Sequence, residues 1–190
     1  GQLPARDDVT YFITHPCHPP LFGGETDPEA QRDFFGGVKA KQAIVCSLMQ
    51  GPEEHYALCE DIARLVFSPV SRAHRCTPEN IAVLEPAMSE TVAATLCVAL
   101  KEALDETVRR GVPKDAAFDF MMGHLSIELA IIFGIFPGKF SDGALKAIEE
   151  AKPILLKDGW LERVFNPDAI RASTLAICNQ NGMKLAVRTD

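Results

Sequence analysis

The segment VTYFITHPCHPPLF (9–22) sets two histidines, a cysteine and three prolines directly behind an apolar run. The imidazoles of His15 and His18 can take protons or ligate a metal, and Cys17 between them adds a soft donor. The plainer alternatives are loop histidines satisfied by backbone groups and a buried, inert thiol. A second group lies in IAVLEPAMSETVAAT (81–95), where Glu85 and Glu90 flank Pro86 inside a helical pattern. Proline there costs roughly 3 kcal/mol unless something compensates, and a kink would aim the two glutamates in different directions. Two solvated carboxylates beside a tolerated kink are the alternative. A third group, MMGHLSIELA (121–130), places His124 and Glu128 on one helical face in apolar surroundings. Both would be partly desolvated, as an acid/base or metal-orienting pair or as a buried hydrogen-bonded one. His55 and His74 read as surface residues. None of these signals has the specificity of HExxH. Together they offer nitrogen and oxygen donors on three elements, a pattern compatible with a catalytic Zn²⁺ or Mg²⁺ that keeps open positions.

The elements that must position these groups fall into two halves. VTYFIT (9–14) and QAIVCSLM (42–49) read as strands, the first covered on both faces, and His15 and His18 are expected on a stiff loop at its end. The polar, glycine-bounded stretch 23–37 reads as a loop. After Gly51, Pro52 suits the first turn of a helix through Val66, with Glu53 and Glu54 at its positive end. PVSRAHRC (69–76) is a weak third strand. From Thr77-Pro78, an N-cap followed by proline, one helix can run to about Arg110, on the order of 50 Å at ~1.5 Å per residue. Gly111 and Pro113 stop it. A second helix spans Lys114 to Phe133, a third opens at Ser141 and is cut by Pro153, and Asn166-Pro167-Asp168 caps a fourth through ICNQ (177–180). The boundaries are 1–76 for an α/β part and 77–190 for an all-helical part. The fold class is α+β, mostly α.

Composition excludes several functions. At 190 residues the chain can bury a sizeable core. A net charge of −7 without a Lys/Arg run argues against a nucleic-acid surface. The six cysteines are scattered and form no CxxC pair, which points to a reduced, cytoplasmic setting. The longest apolar stretch, LSIELAIIFGIF (125–136), contains Glu128 and falls short of the ~20 residues a bilayer needs. GQLPARDD (1–8) is polar and acidic, unlike a signal peptide. Gly23-Gly24 and Gly36-Gly37 flank an acidic loop that cannot cradle a pyrophosphate, and no GxGxxG links a strand to a helix.

The run of YFITHPCHPP, AKQAIVCSLMQGPEE, ENIAVLEPAMSETVAAT and GHLSIELAIIFG resembles the C-terminal part of phosphogluconate-dehydrogenase-like NAD-dependent oxidoreductases. The resemblance implies the last strands of a Rossmann-like sheet followed by a helical dimerisation domain with one long kinked helix. It implies that NAD is bound by an N-terminal part this sequence lacks, so that the chain alone is inactive. His15 and Glu85 become the expected ligands of a divalent metal, Zn²⁺ ahead of Mg²⁺, with Glu90 and His124 transferring protons or orienting substrate. The implied partners are a small sugar acid, oxidised at a hydroxyl with isomerisation, and a second copy of the chain, with neither nucleic acid nor membrane. Three rival expectations stay open: a decarboxylating dehydrogenase of the 6-phosphogluconate type, a non-catalytic dimerisation and substrate-binding module, and a free-standing zinc hydrolase.

Overall fold

The computed structural model describes residues 6–178, and the chain divides into two compact units after Leu84. The first unit is a three-stranded sheet in the order β1-β2-β3, comprising β1 (Tyr11–Pro16), β2 (Gln42–Gln50) and β3 (Val70–Arg75). β1 lies antiparallel to β2, and β3 lies parallel to it. A parallel pair needs a crossover, which the helix α1 (His55–Val66) supplies. β2 is the central strand and reads as a nearly continuous buried run, as a strand covered on both faces should. Ile44 and Cys46 are fully buried against Ala63 of α1, with Phe12, Tyr56, Phe67, Val70 and Ala73 packed around them. The Phe12 and Tyr56 rings meet edge to face at 5.5 Å.

Two expectations are corrected in this unit. β1 continues through Pro16, so His15 is a strand residue opposite Val45, and its strand is only half-buried. α1 begins at His55, and Pro52 to Glu54 form a turn ahead of it, with the His55 N–H bonded to the Pro52 carbonyl. The 17–41 connection carries one 3₁₀ turn, Ala30–Arg32, and is ordered by Asp33. That carboxylate accepts from the backbone N–H of Val38 (3.1 Å), Lys39 (2.8 Å) and Ala40 (3.0 Å). Gly36 has φ 76° and lies so close to Gln42 that a Cβ would sit 2.5 Å from its amide carbon. Gln42 in turn donates to the Phe67 carbonyl at 3.1 Å, joining the start of β2 to the C-terminal end of α1.

From Thr77 onward the described residues are helical wherever they are regular. Thr77 caps α2 (Pro78–Ala82) through a reciprocal box with Asn80. The chain then winds as a π-helix over Val83–Ala94 before returning to α-helix in α3 (Thr95–Arg109). α4 (Lys114–Ile132), α5 (Asp142–Leu155), α6 (Trp160–Phe165) and α7 (Pro167–Cys178) follow. Ser141 caps α5 by accepting from the Ala144 N–H. Pro153 does not cut that helix as expected; it sits in the last turn, where little ladder remains to be lost. α6 is too short to announce itself in the sequence. The expected extension of the last helix through Asn179 and Gln180 lies outside the described residues. This three-strand and multi-helix chain is the α+β, mostly helical arrangement that the sequence predicts.

Candidate active-site residues

His15 is presented by the end of β1 and held by its own backbone. Its Nδ1 lies 2.7 Å from the Pro16 carbonyl. A carbonyl can only accept, so Nδ1 carries a proton and donates it. A histidine fixed through one nitrogen in this way has the tautomer and orientation that metal ligation requires. His18 repeats the device across the loop, its Nδ1 donating to the Phe35 carbonyl at 2.9 Å. Its ring packs edge-on to Phe35 at 5.6 Å and to His15 at 6.2 Å. The His18 backbone has φ 59°, which for a β-carbon-bearing residue costs roughly 1–2 kcal/mol. Cys17 is exposed, against the expectation of a buried thiol, since it lies just past the end of β1. Desolvation of the sulfur, and secondarily Cys76, still push that thiol up from its ordinary value.

The second candidate segment corrects the expectation of a kink. Pro86 is absorbed by twelve residues of π-helix. In an i→i+5 helix the residue five positions on closes the hydrogen-bonded ring of the first. Glu85 and Glu90 therefore share a side, where an α-helix would set them about 140° apart. Glu85 is half-buried and Glu90 exposed. Thr91, not singled out from the sequence, locks this winding: its hydroxyl donates to the Pro86 carbonyl at 2.5 Å. The signal was a threonine five residues after a mid-helix proline.

The third segment also departs from expectation. His124 is exposed, stacks on Phe120 at 3.9 Å, and bonds through Nδ1 to the Phe120 carbonyl (2.8 Å) instead of pairing with Glu128. The carbonyl one turn back competes for the ring, since i−4 is the nearest acceptor a helical side chain meets. Nε2 is the basic nitrogen. His124 and Glu128 line a groove of about 500 Å³ between α3 and α4, with Leu104, Phe120 and Leu125. His55 and His74 are exposed, as expected. Among the described residues no group of three or more His, Cys, Asp or Glu side chains gathers as a metal cluster. His15 and His18 lie in the first unit and Glu85, Glu90 and His124 in the second.

The family model described as phosphogluconate dehydrogenase (decarboxylating), C-terminal, matches residues 23–178, and the chain belongs to that family. D-apionate oxidoisomerase of Cupriavidus necator is 54% identical over 173 residues, and that of Rhizobium rhizogenes is 55% identical; each match takes in 91% of this chain. The chain spans 62% of the length of these relatives. A crystal structure of a semialdehyde dehydrogenase NAD-binding protein from Cupriavidus necator, in complex with calcium and NAD, superposes with a TM-score of 0.90 at 53% identity. It covers 92% of this chain, which in turn covers 63% of it. An oxidoreductase from Jannaschia sp. CCS1 gives a TM-score of 0.84 at 51% identity over 91% of this chain and 62% of its own.

Proposed function

We propose that this chain is the C-terminal catalytic and dimerisation part of a cytoplasmic NAD-dependent enzyme that oxidises and isomerises a sugar acid of the D-apionate kind. The observation that carries this reading is the His15 imidazole, whose Nδ1–H is committed to the Pro16 carbonyl at 2.7 Å, a contact that fixes the ring's orientation. His15 and Glu85 would hold one divalent ion. Bound there, such an ion supplies Lewis acidity to neighbouring substrate oxygens. An imidazole ligand favours Zn²⁺ over Mg²⁺, which prefers oxygen ligands and water. Glu90, on the same side of the π-helix as Glu85, orients the substrate's hydroxyls. His124 takes a proton at Nε2, since its Nδ1 is occupied by the Phe120 carbonyl. NAD belongs to an N-terminal nucleotide-binding part, and this chain alone forms no NADH. The test is NADH formation from D-apionate by this chain joined to such a part. Turnover that His15→Ala and Glu85→Gln each reduce at least tenfold is expected; turnover indifferent to both would overturn the assignment. The family model's description favours a second reading, loss of CO₂ from the oxidised acid. Trapping of released CO₂ distinguishes it.

The same proposal includes a homodimer. In the second unit the buried residues of the π-helix and α4 are only Pro86, Ala87, Ala117 and Ala130. Large apolar side chains stay in water, among them Phe133 (71% exposed), Ile154 (83%) and Leu155 (79%). Helices that leave such faces uncovered are completed by a partner, here a second copy. The helix Pro78–Arg109 has the length and apolarity to cross a membrane by composition. Glu85 and Glu90 within it would be costly in lipid, which favours a protein partner.

A further inference from the structure

Resting on the reading that a second copy completes the helical unit, we propose that the two copies exchange α5, each seating it in the α3/α4 groove of the other. α3 packs on α4, and beside their contact lies an open groove of about 460 Å³. One wall is the α3 stripe from Cys97 to Val108, and the other is the α4 stripe from Lys114 to Leu125. In the second wall Phe118 and Met122 are 51% and 45% exposed. α5 carries a third stripe of the same helical repeat, running from Ala144 through Leu145, Ile148 and Ala151 to Leu155. All three stripes have the same length, about 16 Å at ~1.5 Å per residue. Two of them form a groove, and the third has nothing to fill. α5 buries none of its residues.

α4 supports the same arrangement. It carries apolar side chains all round, yet buries only Ala117 and Ala130. A helix of that composition belongs inside an assembly. The empty groove and the uncovered helix occur on one chain, so a two-fold axis covers both in a single self-complementary contact. A helix from an unrelated protein would fill the groove and leave α5 bare. The area is also sufficient. Half-enclosing a helix ~16 Å long and ~11 Å across removes roughly 350 Å² from each surface. Two such seatings bury about 1,400 Å² in total, within the ~1,200–2,000 Å² of stable interfaces. The charges agree in sign: Lys114 lies at one end of the groove, and Glu149 flanks the α5 stripe. Neither is in an ion pair among the described residues.

The experiment is disulfide trapping in the full chain. Cys97 lines the groove and is exposed with a free thiol. Leu145→Cys and Leu155→Cys place a second thiol at either end of the α5 stripe, at positions 52% and 79% exposed in a single copy. A disulfide forms only where the two Cα atoms come within about 7 Å. Mild oxidation is expected to link one of these variants into a species of twice the chain mass on a non-reducing gel. Adding Cys97→Ser should abolish that species. Ile148→Glu, in the middle of the stripe, should weaken association at least about tenfold in sedimentation velocity and leave the helical circular dichroism unchanged. A dimer that links through Cys97 in neither variant, or that tolerates Ile148→Glu, would overturn the exchange and keep the second copy. A Cys97 disulfide closed within one chain would overturn it as well, since α5 would then fill its own groove. A monomer at all concentrations would overturn both the exchange and the dimer on which it rests.

Discussion

The two units solve the burial problem in opposite ways. The first surrounds a central strand: Ile44, Cys46 and Ala63 are sealed inside, and even the polar Gln42 and Ser47 are buried. The second winds seven-tenths-exposed phenylalanine and leucine onto helices whose buried residues are small. Apolar burial contributes roughly 25 cal/mol per Å², so covering those faces on association would add stability that a single copy forgoes. The sheet carries the backbone-held imidazoles, and the helices carry carboxylates alongside uncovered apolar side chains.

The largest expected effect lies in the sheet. Ile44→Ala should destabilise the first unit by about 2–5 kcal/mol, read by urea denaturation, because the rigid surroundings cannot close the cavity. The helical counterpart is Phe133→Glu. Its ring is exposed in a single chain, so substitution within one copy should be nearly neutral, yet a covered ring would lose about 2 kcal/mol or more of association. A concentration series by sedimentation velocity checks this, and an unchanged dimer would free that face. Thr91→Val should cost about 0.5–1.5 kcal/mol by removing the bond to the Pro86 carbonyl. Thr91→Ser should restore it, as thermal denaturation would report.

The smallest effect at neutral pH is Tyr56, whose hydroxyl is pushed up to about 12, chiefly by burial and then by Glu60. A raised folded value means the stabilisation is complete below the unfolded value near pH 10 and is lost as pH rises through about 12. Absorbance at 295 nm (~1 nm resolution suffices) in Tyr11→Phe isolates this ionisation; a midpoint near 10 would contradict the packing around Tyr56.

The elements legible in the sequence are those with local causes. Thr77-Pro78 and Ser141 mark helix starts because a cap is a contact within one turn, and the apolar run of β2 declares burial on both faces. What could not be read depends on partners distant in sequence or on competition between local bonds. Nothing near His18 tells that its ring reaches the Phe35 carbonyl. Pro86 advertised a defect, but not that the chain would wind as a π-helix in which the Thr91 hydroxyl donates to the Pro86 carbonyl. His124 and Glu128 have ideal pairing distance in the chain, yet the backbone carbonyl of Phe120 wins the ring. The candidate residues therefore stand out in the sequence by type, while their hydrogen-bonded states do not.

Sedimentation equilibrium of the 20.7 kDa chain tests the contrast between the units most directly. The account predicts twice the chain mass at micromolar concentration, falling toward one chain mass in Phe133→Glu while the sheet's denaturation is unchanged. A stable monomer with the helices fully folded would contradict it, since those exposed apolar faces would then need no second copy.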